Sequence, residues 1–184
     1  MRYPASETAE KHARILQAAS RLFRERGFSA VSVSEIMKST GLTHGPFYNH
    51  FSSKEALMQE SVEQGLQELL DQLEMLPGTY EGLTLLVEHY LSEAHRDSPG
   101  TGCTIAALAS QIRQEPQLRS PFTEKLKAYI DKLAHHFPWR SKNYARGYSI
   151  RMLALMAGAL ILARAVDDPH LSKEIMDEAR QGLL

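Results

Sequence analysis

Apolar residues recur at helical spacing along most of this chain, and no stretch alternates convincingly with the period of two that marks a strand. The pattern therefore predicts an all-α protein without a sheet. Pro77-Gly78, Ser98-Pro99-Gly100 and Pro138 interrupt it, and Asp168-Pro169 is typical of a cap followed by a first-turn proline. Nine helices are predicted, near residues 7–26, 33–39, 44–50, 53–75, 81–96, 103–114, 119–137, 141–166 and 170–183.

Two of these helices surround a tight turn in the segment SVSEIMKSTGLTHGPFYNHF. Ser32 and Glu35 form a capping box at the start of the first helix, and Gly41 can adopt the positive φ that ends it. Thr43 can then cap a second short helix, which begins at about His44. Two helices joined by a turn that contains glycine are the helix-turn-helix unit, whose second helix lies in the major groove of DNA.

The helices on either side support this interpretation. The upstream helix carries one apolar stripe and ends at Arg24 and Arg26, whose charge suits a helix C-terminus. Downstream, Ser52 and Glu55 are predicted to form a second capping box. Lys54 lies in the first turn there, where a cation is disfavoured; a nearby phosphate or ordinary solvent exposure would explain it equally well. The upstream stripe consists of Ile15, Ala18, Ala19, Leu22 and Phe23.

The polar side chains of the second short helix have the chemistry of a DNA contact. Tyr48 and His50 can each donate a hydrogen bond to a phosphate oxygen, which positions a protein on DNA without reading its sequence. Asn49 can pair with adenine through two hydrogen bonds, and Thr43 and His44 are the next candidates for reading bases. Ordinary solvent exposure is the alternative for each of them. The residues expected to pack inward are Phe47, Phe51 and Phe23.

Composition limits the possible classes of protein. A chain of 184 residues, 43% of them hydrophobic, can build one domain or a small two-part molecule. Its single cysteine, Cys103, excludes an intramolecular disulfide and is typical of a cytoplasmic protein. The first residues lack the apolar core of a signal peptide. The apolar run Met152–Ala163 is twelve residues long, which is too short to span a bilayer, so we expect a cytoplasmic protein without a membrane partner.

Charge is distributed unevenly behind a net value of −1. Residues 1–55 hold eight Lys and Arg and five acidic residues, whereas residues 56–95 hold eight acidic residues and neither Lys nor Arg. Positive charge therefore accompanies the helix-turn-helix, as nucleic-acid binding requires. The acidic stretch is either a solvated helix face or a surface that repels DNA.

Four consecutive motifs resemble the TetR family of bacterial transcriptional regulators: RERGFSAVSV, EIMKSTGL, THGPFYNHF and SSKEAL. They cover about the first 55 residues, in the order and spacing of the family. The resemblance implies a homodimer with an N-terminal three-helix helix-turn-helix domain, expected at 8–68 with the motif at about 32–51. A larger helical domain, expected at 69–184, would bind a small effector and dimerise. The implied partners are double-stranded operator DNA, a small-molecule effector and a second copy of the chain.

The resemblance also implies roles for single residues. The expected phosphate contacts are Tyr48, His50 and Lys54, the expected base contacts lie near His44, Gly45 and Pro46, and Ser34 of the preceding helix is also expected at the DNA. Pro46 departs from the small or hydroxylated residue that is commoner at its position. Its missing N–H matters little in a first helical turn, and any readout there would be an apolar contact, for example with a thymine methyl group.

The last two predicted helices each carry an apolar stripe. Two such helices from each of two chains would form a four-helix bundle, and the resemblance implies the same dimer surface. The alternative is that both stripes are buried within one chain. The predicted interface consists of Met152, Leu155, Met156, Ala159, Leu160, Ala163, Leu171, Ile175, Met176 and Ala179.

An effector pocket is expected among the fifth to eighth helices. Its candidate lining residues carry no fixed charge, so we expect a mainly apolar effector held by one or two polar groups. Cys103 follows Gly102 near a predicted helix start, which would lower the pKa of its thiol and allow redox sensing, although cysteine is more often a small buried hydrophobe. The candidates are Tyr90, Cys103, Leu108, Phe122, Tyr129, Trp139 and Met152.

Together these features predict a repressor that binds a palindromic operator as a homodimer and is released by its effector. The alternatives are an activator, a regulator that senses no effector, a redox-sensing regulator that uses Cys103, and an enzyme. No catalytic signature accompanies Cys103, and neither a phosphate-binding glycine loop nor an H-E-x-x-H motif occurs. We therefore expect no catalytic residue, no metal and no cofactor.

Overall fold

The computed structural model describes residues 5–43 and 45–184, and these residues form helices joined by short turns, with no strand among them. The predicted all-α class is confirmed. The α-helices of this part are α1 (Ala5–Arg26), α2 (Val33–Ser39), α3 (Lys54–Met75), α4 (Tyr80–Tyr90), α5 (Glu93–Asp97), α6 (Thr104–Ile112), α7 (Pro116–His136), α8 (Ala145–Ala165) and α9 (Pro169–Gln181). Short 3-10 helices span Gly45–Asn49, Pro99–Thr101 and Lys142–Tyr144.

Aromatic side chains form the centre of the N-terminal domain. Phe23 packs edge-on against Phe28, with ring centroids 5.2 Å apart, and Phe47 stacks on Phe51 at 5.7 Å. Phe23 and Phe47 are fully buried, as is Ile36 of α2. The predicted inward packing of these phenylalanines is confirmed, and it joins α1, α2 and the 3-10 helix into one unit.

Local signals in the sequence set several helix ends. The Ser32 hydroxyl accepts a hydrogen bond from the Glu35 N–H, and the Glu35 carboxylate accepts one from the Ser32 N–H at 2.8 Å, so the predicted capping box is confirmed. Gly27 and Gly41 have φ values of 85° and 71°, in the left-handed region that ends helices at glycine. Asp168 caps α9 as predicted.

Other predicted boundaries are wrong. Ser53, and not Ser52, caps α3, because the helix begins one residue later than the capping-box pattern suggests. The single helix predicted near 81–96 is two helices, because the chain leaves helical geometry after α4 and Ser92 caps a new start. Helix α7 begins at Pro116, earlier than predicted, since proline is favoured in a first turn.

Helix α3 belongs to both halves of the molecule. Its 22 residues extend over about 33 Å. Lys54 lies at its start beside the helix-turn-helix, whereas Leu66 and Leu73 are buried further along, where α3 packs against α7. The domain boundary expected near residue 68 therefore falls inside a continuous helix.

Helix α8 is long and strongly apolar. By length and composition alone, Lys142–Ala165 could cross a membrane, with a mean hydropathy of 1.4 in its most apolar window. Its inward side, however, carries Met152, Met156 and Leu160, which are buried against α6, α7 and α9. The core helix of a globular domain has the same composition, and the packing of α8 is typical of one.

The dimer stripe predicted on α8 and α9 lies mostly inside the chain. Leu155 and Leu171 are exposed and Ile175 is half-buried, but the other members are buried, so their assignment to a surface between two chains is wrong. The reason is that α8 is apolar on more than one side and buries its most continuous stripe against its own domain. A neighbouring side stays exposed; this outer face consists of Leu155, Ile161 and Leu162 of α8 and Leu171 of α9. The buried members are Met152, Met156, Ala159, Leu160, Ala163, Met176 and Ala179.

Candidate nucleic-acid interface

The second helix of the helix-turn-helix is a 3-10 helix, Gly45–Asn49, which is shorter and tighter than an α-helix. Pro46 supplies no backbone N–H, and 3-10 geometry is common in short helical segments of this kind. The segment ends where the backbone N–H groups of His50 and Phe51 both donate to the Phe47 carbonyl, at 2.9 and 3.0 Å.

This short helix is anchored on one side and polar on the other. Phe47 is fully buried, whereas the next residue, Tyr48, is 64% exposed with its ring edge-on to Phe47 at 5.1 Å. Thr43, Gly45 and Asn49 are also exposed. The arrangement presents a phenol and an amide outward from a fixed backbone, which is the geometry that groove contacts need.

The remaining predicted contacts differ in exposure. Ser34 is exposed in the first turn of α2, and Pro46 is half-buried. His44 lies outside the described residues. The DNA contacts of these residues stay predictions.

Lys54 is held in place by the fold. Its Nζ donates a hydrogen bond of 2.6 Å to the backbone carbonyl of Phe28, in the turn between α1 and α2. The ammonium group has three protons, so this bond leaves others for a phosphate. Phe28 also donates its N–H to Gln111 Oε1 of α6 at 2.8 Å. Sequence reasoning missed this link between α6 and a predicted DNA contact, because its members are far apart in the chain.

His50 is less available than expected. Its ring is half-buried, and its Nδ1 has no hydrogen-bond partner among the described residues. Burial, followed by the nearby His12 and Lys11, lowers the pKa of His50. His12 stacks on Phe51 at 4.4 Å and its Nε2 lies 2.6 Å from Oε1 of Glu60. A phosphate contact by His50 would therefore use a neutral imidazole that donates from Nε2, and the role stays a prediction.

Some basic side chains of the N-terminal domain are used within the fold. Arg14 donates to the Thr40 carbonyl at 2.5 Å, and Arg26 donates to the Glu35 carboxylate at 3.1 Å. Hydrogen bonds from the backbone and side chain of Ser32, and then from Arg26, lower the pKa of Glu35 to about 2. The charge count from the sequence therefore overstates the positive charge that this domain offers to DNA.

The predicted effector-pocket residues do not share one cavity. Some line a small cavity of about 70 Å³ between α1, α3, α4 and α7, which we call the tyrosine cavity. Others line a separate groove of about 680 Å³ beside α8, and the rest line neither. The first group is Tyr90, Cys103 and Tyr129, the second is Trp139 and Met152, and the third is Leu108 and Phe122.

The lining of the tyrosine cavity is also more polar than expected, so the expectation of an uncharged lining is wrong for this cavity. Spacing along single helices could not show this, because the polar groups come from several elements, including α1 of the N-terminal domain. Within the described residues, no cluster of His, Cys, Asp or Glu is placed to hold a metal ion. The additional polar lining residues are Arg24, Glu68, Gln72, His89, His95 and Thr101.

Cys103 has the properties of a buried hydrophobe. It is 2% exposed, and burial raises the pKa of its thiol. The lowered pKa expected from its place before α6 is therefore wrong. A protonated, buried thiol reacts slowly with oxidants, so the redox-sensing alternative loses its physical support.

His95 bridges two segments of the cavity wall as a neutral imidazole. Its Nδ1 lies 2.7 Å from the Tyr90 carbonyl and its Nε2 lies 3.0 Å from the Cys103 backbone nitrogen. Because a carbonyl only accepts and an N–H only donates, Nδ1 carries the proton and Nε2 is the acceptor. Burial lowers the pKa of His95, and the positive charge of Arg164 adds to this effect.

Acidification should therefore destabilise the protein through His95. Its pKa is lower in the folded state than in the unfolded state, so its contribution is present above about pH 6.5 and is lost as the pH falls through the folded pKa. Thermal unfolding measured from pH 7.5 down to pH 5 should show a larger loss for the wild type than for His95→Gln. His135→Gln, on an exposed histidine of α7, is the control and should behave like the wild type. Equal losses in all three proteins would contradict the assignment.

Known proteins resemble this chain in sequence and in fold. The family model for "Bacterial regulatory proteins, tetR family" matches residues 15–60. The chain is 32% identical over 137 residues, 71% of each protein, to the uncharacterized HTH-type transcriptional regulator YvdT of Bacillus subtilis. It is 33% identical over 95 residues, 46% of each protein, to the HTH-type transcriptional repressor KstR2 of Mycolicibacterium smegmatis. The crystal structure of a TetR-family regulator from Cytophaga hutchinsonii matches with a TM-score of 0.78 and 19% identity, over 98% of this chain and 96% of that one.

The fold, the exposed helix-turn-helix and these relatives define a DNA-binding transcriptional regulator and not an enzyme. The chain belongs to the TetR family of bacterial regulatory proteins.

Proposed function

We propose that this TetR-family regulator is a cytoplasmic repressor that binds a palindromic operator as a homodimer and releases it when a small molecule binds the C-terminal domain. The observation that carries the proposal is the exposed pair Tyr48 and Asn49 on a helix anchored by buried Phe47. Repression is favoured over activation because the Mycolicibacterium smegmatis relative is named a repressor.

The outer face of α8 and α9 supports the homodimer. Leu155, Ile161 and Leu162 are exposed on α8, and Leu171 is exposed on α9, which packs against α8. Several large apolar side chains exposed on two neighbouring helices are typical of a protein–protein interface. Paired with the same face of a second copy, it would form an interface with two-fold symmetry.

Two-fold symmetry makes a prediction about the operator. The two recognition helices should fit half-sites about 34–36 Å apart or a multiple of that distance, so the operator should be an inverted repeat. Selection of bound sequences from a random DNA pool, followed by a footprint on the enriched site, tests the proposal. A protected site without an inverted repeat would overturn it.

Removing the charge of Lys54 should weaken binding to all DNA sequences by a similar factor. A phosphate contact carries no sequence information, and its loss should reduce the slope of log affinity against log salt by about one. Fluorescence anisotropy with operator and scrambled DNA over a salt series measures both effects for Lys54→Ala. Lys54→Arg should retain most of the affinity, and Lys127→Ala, on an exposed lysine of α7, is the control for net charge. An unchanged salt slope for Lys54→Ala would rule out the contact.

A further inference from the structure

Arg24 connects the DNA-binding domain to the rest of the molecule. It lies in the last turn of α1, and its side chain is only 9% exposed. The guanidinium donates to the Gly100 carbonyl at 2.8 Å and reaches Thr104 Oγ1 and Glu68 Oε2, both at 3.3 Å. Gly100 and Thr104 lie before and at the start of α6, so Arg24 holds α1 against this part of the C-terminal domain.

Arg24 also lines the tyrosine cavity, together with a polar group that lacks a partner. Tyr90 is 5% exposed, and its hydroxyl finds no well-aligned hydrogen-bond partner in the part of the chain that the structure describes. A buried hydroxyl without an acceptor is unfavourable unless something else occupies the site. The Cys103 thiol lies close enough for a side-chain hydrogen bond with Tyr90, which adds to the effect of burial in raising the pKa of Tyr90, but a thiol is a weak hydrogen-bonding group.

The groups around this hydroxyl are donors. Burial raises the pKa of Tyr90, Cys103 and Tyr129, so all three keep their protons at neutral pH. Arg24, which lines the same cavity, supplies a guanidinium, whose planar fork matches the two oxygens of a carboxylate. A cluster of donors with few acceptors favours a ligand group that accepts hydrogen bonds and carries negative charge.

We propose that the tyrosine cavity binds the carboxylate of a small aliphatic acid, and that Arg24 both binds this carboxylate and holds the two domains together. We call the hydrogen bonds of Arg24 to Gly100 and Thr104 the latch. The proposal rests on the effector-controlled repression proposed above. A cavity of about 70 Å³ holds roughly the volume of two water molecules, which suits a carboxylate head group. Leu69, Leu73 and Leu86 of the same wall would contact the aliphatic tail.

Glu68 is the one acidic side chain in this lining, and it does not prevent binding of an anion. Its side chain is 43% exposed and lies 3.3 Å from Arg24, so it can turn into solvent while the ligand carboxylate takes its place. The exchange replaces one carboxylate at Arg24 by another. The ligand carboxylate can also accept a hydrogen bond from the Tyr90 hydroxyl, which has no well-aligned partner among the described residues.

Occupancy of the cavity would loosen the latch. A carboxylate that accepts two hydrogen bonds from the Arg24 guanidinium competes with the hydrogen bonds from this group to Gly100 and Thr104. Helix α1 would then be free to shift against the turn Pro99–Thr101. Because Phe23 of α1 packs on Phe28 in the centre of the DNA-binding unit, such a shift would reach the recognition helix.

Butyrate is a suitable probe, with butyramide as its uncharged counterpart. Calorimetry should show binding of butyrate to the wild type and at least tenfold weaker binding to Tyr90→Phe, since a hydrogen bond to a charged group is lost. Tyr90→Phe should keep its thermal stability, because the hydroxyl loses only its weak contact with the Cys103 thiol. Tyr80→Phe, on an exposed tyrosine outside the cavity, is the matched control. Absence of butyrate binding, equal binding of butyramide, or equal affinity of Tyr90→Phe would each overturn the proposal.

Coupling to DNA is tested on the operator. Butyrate should lower the operator affinity of the wild type and of Arg21→Gln by roughly 5–150-fold, and should leave that of Arg24→Gln unchanged. Arg21 is the matched control, because it lies one turn earlier on α1 and its side chain is exposed. Failure of the wild type to bind any palindromic DNA would overturn the proposed function. Normal operator binding that butyrate leaves unchanged would overturn only the carboxylate site and its latch.

Discussion

Replacing Leu162 by Glu is expected to separate the dimer and lower operator affinity by at least a hundredfold. Leu162 is 57% exposed in the single chain but would lie inside the proposed interface on the outer face of α8. Burial of an unpaired carboxylate there is strongly unfavourable, so the chains should dissociate. A monomer contacts one half-site and loses the 10²–10⁴-fold gain in affinity that linking two contacts provides.

Sedimentation analysis and fluorescence anisotropy on the same samples measure both effects of Leu162→Glu. Thermal stability at low protein concentration should change little, because the residue is exposed in the single chain. Leu85→Glu is the matched control, since Leu85 is 45% exposed on α4 and does not belong to the outer face. A Leu162→Glu protein that remains dimeric would move the interface to another surface.

Replacing Phe47 by Ala should unfold the helix-turn-helix. Phe47 is fully buried between Phe51 and the rest of the domain, and removing such a side chain typically reduces the free energy of unfolding by about 3–5 kcal/mol. This is a large fraction of the roughly 5–15 kcal/mol that stabilises a domain. Binding to every DNA sequence should disappear, because the recognition helix has no other anchor of this size.

Urea unfolding followed by two signals separates local from global effects of Phe47→Ala. Circular dichroism reports all helices, whereas the fluorescence of Trp139, the single tryptophan, reports the C-terminal domain. The two transitions should separate in the variant. Tyr48→Ala is the matched control: the neighbouring side chain is exposed, so DNA affinity should fall with a much smaller loss of stability. Equal stability of Phe47→Ala and Tyr48→Ala would contradict the anchoring role.

Features that depend on a few consecutive residues could be predicted from the sequence. The capping box of Ser32 and Glu35 and the left-handed conformation of Gly41 are examples, because each depends only on residues that are close together in the sequence. The inward packing of Phe47 followed from helical spacing alone.

Features that depend on packing between distant segments could not be predicted from the sequence. The sequence indicated only that the positive charge of Arg24 suits the C-terminus of a helix. In the structure, its hydrogen-bond partners lie more than 40 residues away, on α3 and near the start of α6. Helix α8 has more than one apolar side, so its pattern could not distinguish the buried stripe of Met156 from the exposed one of Leu162. The tyrosine cavity was only partly foreseen, because residues from five helices line it.

The continuity of α3 limits how this molecule can change in evolution. A single residue inserted in the middle of the helix would turn everything beyond it by about 100° and advance it by about 1.5 Å. Leu66 and Leu73 would then leave the core, and the C-terminal domain would be turned relative to the recognition helix. Domain exchange between relatives is therefore expected to succeed only when the junction preserves the helical phase, whereas an insertion in the turn at Pro77-Gly78 would not change the phase of a helix.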